Sequence, residues 1–130
     1  AGATIFGYDC ERHYLLVQEH LGHWFFPKGH LEDGETPKMA AKREIAEELR
    51  ESVEFFPGYK EIIRYRIAKG AYKTVTFFLS ELPLKPINFD FNEVRDAKWF
   101  TLDDALRTLD HDDSRQLLKK TDSWVDEWMK

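Results

Sequence analysis

Glu44, Glu47 and Glu48 fall at spacings of three and four inside the segment Pro37 to Arg50. On a helix, which turns about 100° per residue, they form one stripe beside an apolar stripe of Ala41, Ile45 and Leu49. Like charges at these spacings repel by roughly 0.2–0.5 kcal/mol per pair. A hard divalent cation is the natural compensation. Mg²⁺ takes oxygen ligands and commonly bridges carboxylates to substrate phosphates. The plain alternative is a solvated acidic face with Lys and Arg close by, doing no chemistry.

The elements around the stripe must hold it in place. Thr36 can cap the helix and Pro37 suits its first position. The preceding loop, His20 to Thr36, is punctuated by Pro27, Gly29 and Gly34. Before it, Ala3–Gly7 and His13–Glu19 read as strands joined by a polar turn, Tyr8–Arg12. After the helix, Phe55–Ala68 reads as a strand. Lys69-Gly70 reads as a turn into a second strand, Tyr72–Ser80. Ala97–Phe100 reads as a short strand, and Leu102–Leu109 and Ser114–Met129 as helices. Trp124 and Trp128, at i and i+4, read as the core stripe of the last helix. The order predicts a mixed α/β or α+β fold in one domain, residues 1–130.

Composition narrows the function. Hydrophobic residues make up 42% of the chain, enough for a packed core, and the net charge is -5. An acidic chain is poorly suited to long nucleic acid, which needs a basic face. It can still bind a small phosphorylated ligand when bound metal supplies positive charge. The lone Cys10 allows no internal disulfide. No apolar run approaches the ~18 residues of a membrane span, and no signal-peptide pattern is seen from Ala1 onward. A cytoplasmic protein is expected, with a monomer favoured and no membrane partner. Asp110, Asp112 and Asp113 do not make a calcium loop, because Arg115 and Thr121 stand where the EF-hand needs Gly and Glu.

The wider spacing carries a family resemblance. Gly29, five residues, Glu35, seven residues, Arg43-Glu44-Ile45, one residue and Glu47-Glu48 resemble the Nudix box. The match holds through Glu48. Beyond it, Arg50 and Glu51 stand where the family has Gly and an aliphatic residue, which bears on helix termination rather than on metal. The resemblance implies an α/β/α sandwich with a mixed sheet and a catalytic loop–helix–loop. It implies that Glu44, Glu47 and Glu48 bind Mg²⁺ or Mn²⁺, with the Gly29 carbonyl as a further ligand. It implies that Arg43 pairs with Glu35 to brace loop against helix. Glu93, six residues before Trp99, stands where related enzymes often place a ligand or base; an ordinary loop carboxylate is the other reading.

Three further stretches are similar to the asymmetrical diadenosine tetraphosphate (Ap4A) hydrolase branch. They are His23-Trp24-Phe25-Phe26-Pro27-Lys28-Gly29-His30, Lys73-Thr74-Val75 followed by Phe77-Phe78-Leu79, and Trp99-Phe100 with Leu102-Asp103-Asp104-Ala105. The implied reaction is water attack on Ap4A, giving ATP and AMP. Lys28 and Lys73 are then candidates for phosphate oxygens, and Tyr65 and His111 for stacking on adenine. A core position for Tyr65 and a plain helix-start role for His111 stay open. Trp24 is expected to pack beneath the loop. Other Nudix substrates remain alternatives: RNA 5′ ends, inositol pyrophosphates or nucleoside triphosphates. So does a nucleotide-binding module without catalysis, although such modules usually lose the box glutamates and this chain keeps them.

Overall fold

The computed structural model describes residues 1–66 and 70–130, with Tyr65 described by its backbone alone. Strand β1 (Gly2–Tyr8) is apolar nearly throughout, and this is why it becomes an interior strand. On one side it pairs antiparallel with β2 (Arg12–Gln18), through Phe6↔Tyr14. On the other it pairs parallel with β5 (Tyr72–Glu81), through Ala3↔Phe78. A strand flanked on both edges and covered on both faces needs side chains that tolerate burial everywhere. The described strands run β3-β2-β1-β5-β4, with β3 at Trp24–Phe25 and β4 at Glu61–Arg66; β6 (Asp96–Thr101) pairs with β2.

Helices cover the two faces. Helix α1 (Pro37–Leu49) buries Ile45 and Leu49 against Ala3, Ile5, Leu15 and Val17. After the short α2 (Leu102–Thr108), helix α3 (Asp112–Trp128) buries Leu117, Leu118 and Val125 against Phe6, Tyr14, Leu16 and Phe77. Each large aliphatic side chain withdrawn from water contributes roughly 1.5–3 kcal/mol. The architecture is therefore the mixed-sheet α/β/α sandwich expected from the sequence. None of the described helices is long and apolar enough to cross a membrane.

Three expectations need correction. The strand expected from Phe55 begins only at Glu61, because Pro57 and Gly58, the latter at φ 90°, make a turn. Phe55 and Phe56 are packing residues instead: Phe55 stacks on Phe78 at 5.1 Å, and Phe56 meets Trp128 edge-on at 4.7 Å. The far end of that expected strand, Ile67 and Ala68, and Lys69 of the expected turn lie outside the described residues. The buried stripe of α3 runs through Ser114, Leu117, Leu118, Thr121 and Val125, whereas Trp124 is half-buried and Trp128 is 55% exposed. The short β3 falls inside what reads as loop.

Helix α1 starts and stops as its ends dictate. Thr36 Oγ1 accepts the Met39 N–H at 3.2 Å, and Pro37 follows it. At the other end Arg50 adopts φ 54°, the left-handed conformation that glycine enters without strain. The helix thus ends as it would with glycine there, at a cost of roughly 1–2 kcal/mol in backbone strain.

Candidate active site

The helix periodicity and the loop that packs on α1 place the three glutamates of the stripe very differently. Glu48 is buried, 5% exposed, and the Glu44 side chain is 14% exposed. The Glu47 side chain remains 40% exposed. The stripe therefore does not share one environment, with Glu48 in the interior and Glu47 reaching solvent. Gly29 makes room for this arrangement. A Cβ built on Gly29 would fall 2.0 Å from the Glu44 carboxyl carbon, so only glycine lets the loop approach that closely. The Gly29 carbonyl accepts the Ala1 amino group at 2.7 Å.

Arg43 ties loop and helix together. Its Nε donates to Glu35 Oε2 at 2.7 Å and its Nη2 to Glu35 Oε1 at 3.0 Å, a two-pronged pair that fits the planar guanidinium. The same Nη2 donates to the His30 carbonyl at 2.8 Å. Nη1 donates to Glu44 Oε1 and to Glu47 Oε1, each at 2.9 Å. Arg43 holds the Glu35 carboxyl below its usual range, and Glu35 with Glu47 holds the guanidinium firmly charged. Part of the repulsion along the stripe is thus offset within the protein.

What Arg43 does not relieve falls on Glu48. Burial, then the neighbouring Glu44, push the Glu48 carboxyl up to about 9; Lys28 opposes the shift and Glu93 adds to it. Lys28 is itself half-buried. Desolvation and then Lys73 lower its pKa, and its ammonium lies 5.3 Å from the centre of the Phe25 ring. Glu44, Glu48, Glu93 and Lys28 line one cavity of about 210 Å³. A larger one, of about 470 Å³, shares Glu19, His23, Phe25 and Lys28 with it and adds Trp24, Arg66 and His111.

The site thus gathers most of the residues singled out from sequence, but not all. Arg43, Glu35 and Glu47 form a brace away from both cavity linings. Lys73 lies close enough to act on Lys28 without lining either cavity. His111 occupies the cap position of α3 without a capping side-chain bond, and lines the larger cavity. The side chain of Tyr65 lies outside the described residues; its backbone pairs with Lys73. Trp24 packs against the core and meets Phe100 edge-on at 5.2 Å, and it also lines the larger cavity. Glu19 and His23 were not anticipated as site residues. His23 reaches Asp110 at 3.2 Å across the chain, a contact no local pattern announces.

Among the described residues, no three carboxylate, imidazole or thiol groups already form a cation cage. Mg²⁺ seldom needs one, since it is usually held by one or two carboxylates with waters and substrate phosphates completing its octahedron. Glu44 and Glu48 fit that demand: all-oxygen donors, side by side, held together although their repulsion lifts one of them.

Comparison with known proteins agrees with this geometry. Residues 1–121 match the NUDIX domain family. The chain is 33% identical over 118 residues to the asymmetrical bis(5′-nucleosyl)-tetraphosphatase of Caenorhabditis elegans, covering 86% of this chain and 84% of that protein. It is 33% identical over 111 residues to an RNA pyrophosphohydrolase of Pseudoalteromonas translucida, covering 81% of this chain and 54% of that protein. The fold superposes on a C. elegans Ap4A hydrolase binary complex with a TM-score of 0.87 and 28% identity, over 97% of this chain and 96% of that one.

Proposed function

The chain belongs to the Nudix family, and from that premise we propose that it hydrolyses a dinucleoside tetraphosphate, Ap4A to ATP and AMP, with Mg²⁺ or Mn²⁺. The observation that carries the reading is that Glu44, Glu48 and Lys28 line one cavity, which shares Lys28 and Phe25 with a larger, aromatic-sided one. The C. elegans relative's name supports the substrate.

In this reading Glu44 and Glu48 would hold the cation, with Glu47, once released by Arg43, and the Gly29 carbonyl, once released by the Ala1 amino group, as further donors. The cation, when bound, neutralises phosphate charge and activates water. Arg43, clamped on Glu35, keeps the loop and its Gly29 fixed against the helix, so the carboxylates keep their spacing. Lys28 offers a half-desolvated ammonium to a phosphate oxygen, and Lys73 assists it. Glu93, which lines the same cavity as Glu48, is the ligand or the base that takes the water proton. His111, which lines the larger cavity, stacks on adenine, and Tyr65 is the candidate for the other face of the base; such a contact contributes about 1–3 kcal/mol per base. Positioning and electrostatics account for most of the rate.

A 5′-triphosphorylated RNA end is the second reading, favoured by the identity to the RNA pyrophosphohydrolase. Product analysis in oxygen-18 water separates them. ATP and AMP from Ap4A, with the label in AMP, is the expected result. Products from RNA and none from Ap4A would replace the substrate and keep the chemistry. Nucleotide binding without turnover of any compound would remove the enzymatic reading.

A further inference from the structure

The turn that carries Glu93 is fastened to the helix that carries Glu48. The Asp90 N–H donates to the Glu48 carbonyl at 2.9 Å. Asp90 Oδ1 accepts the Asn92 N–H at 2.9 Å, and the Asp90 carbonyl accepts the N–H groups of Glu93 at 2.9 Å and Val94 at 3.0 Å. Beyond the turn, the Arg95 N–H donates to the Gln18 carbonyl at 2.7 Å, at the end of β2. Among the described residues, no hydrogen bond or ion pair holds the Glu93 carboxylate itself, although it lines the same cavity as Glu48. Its location therefore depends on the shape of the turn.

We propose that Asp90 is the positioning residue for Glu93: its side-chain acceptor fixes the 90–93 turn so that Glu93 lines the same cavity as Glu48. Aspartate and asparagine close such turns by accepting the N–H two residues on. Any residue except proline can supply the N–H that reaches Glu48, whereas alanine cannot supply the Oδ1 acceptor. Asn keeps that acceptor without the charge. The inference rests on Glu93 serving as ligand or base in the reaction above.

The test is a double-mutant cycle of D90A with E93Q, run beside D90N. For Ap4A turnover, D90A lowers kcat at least tenfold with KM within twofold of wild type. D90N stays within threefold, and D90A costs less than twofold more in the E93Q background. Mn²⁺ alone, followed by calorimetric titration, binds D90A at least threefold more weakly than wild type, and binds E93Q and the double variant equally. The Mn²⁺ arm reads the turn even where no substrate is hydrolysed, so it separates failure of this proposal from failure of the substrate reading. Additive losses, or D90N as impaired as D90A, would overturn the role of Asp90. Should D90A not fold, D90L, close to aspartate in size but without an acceptor, takes its place in the cycle.

Discussion

The Glu44 carboxyl occupies the space where any side chain on Gly29 would have to go, with 2.0 Å between a Cβ built on Gly29 and the Glu44 carboxyl carbon. A contact below 3 Å means that the Glu44 carboxyl must swing out of its place or that loop and helix must part. Gly29→Ala is expected to destabilise by about 1–3 kcal/mol, as overpacking typically does. It should lower kcat/KM for the substrate at least a hundredfold, since a misplacement of about 1 Å is enough for that loss. Thermal unfolding and steady-state kinetics on the variant check both.

Glu48 predicts opposite effects on stability and activity. Without cation, the native chain keeps the Glu48 proton up to about pH 9, whereas the unfolded chain releases it near 4.5. The native state therefore binds the extra proton between those limits, and stability falls as pH rises through them; below 4.5 there is no penalty. Glu48→Gln removes this slope. In chelator at pH 8 it is expected to be more stable by roughly 1 kcal/mol, about 4 °C in Tm, while losing at least a hundredfold in kcat. A variant with wild-type turnover, or with the wild-type pH slope of Tm, would contradict the placement of this carboxyl.

Arg43→Lys tests the brace. A lysine ammonium cannot reproduce the fork that grips both Glu35 oxygens, the His30 carbonyl, Glu44 and Glu47 together. The expected outcome is at least a tenfold fall in kcat/KM despite the conserved charge, with Mn²⁺ affinity reduced as well. Equal kinetics for Lys and Arg would show that charge alone suffices.

Arg50→Gly is the control for fold without function. Arg50 holds a left-handed conformation at φ 54°, and among the described residues its side chain's hydrogen bonding is limited to a long 3.5 Å contact with Asn88 Oδ1. Glycine relieves the strain but adds unfolded-chain entropy, leaving a net gain of about 0.5–1 kcal/mol. Denaturant unfolding should register it, with Ap4A kinetics unchanged.

The sequence made the helix and its glutamates legible because they obey local rules: a cap at Thr36, proline next, a fixed turn per residue. The Arg43–Glu35 pair was legible only through the family resemblance, and the structure has it. Burial of Glu48 was not legible, since periodicity gives direction around the helix but not what covers it. The strand misjudged at Phe55 shows the same limit: aromatic residues favour strands because they pack well, and Phe55 and Phe56 pack outside one. Glu19 and His23 reach the cavity through chain reversals whose partners, such as Asp110, are remote in sequence.

The most direct test of the central claim is kcat/KM with Mg²⁺ for Ap4A beside 5′-triphosphorylated RNA and nucleoside triphosphates, each repeated with Glu48→Gln. The account predicts Ap4A as the preferred substrate and at least a hundredfold loss for it in the variant. A preference for RNA or a triphosphate would contradict the substrate, and turnover undiminished by Glu48→Gln would contradict the site itself.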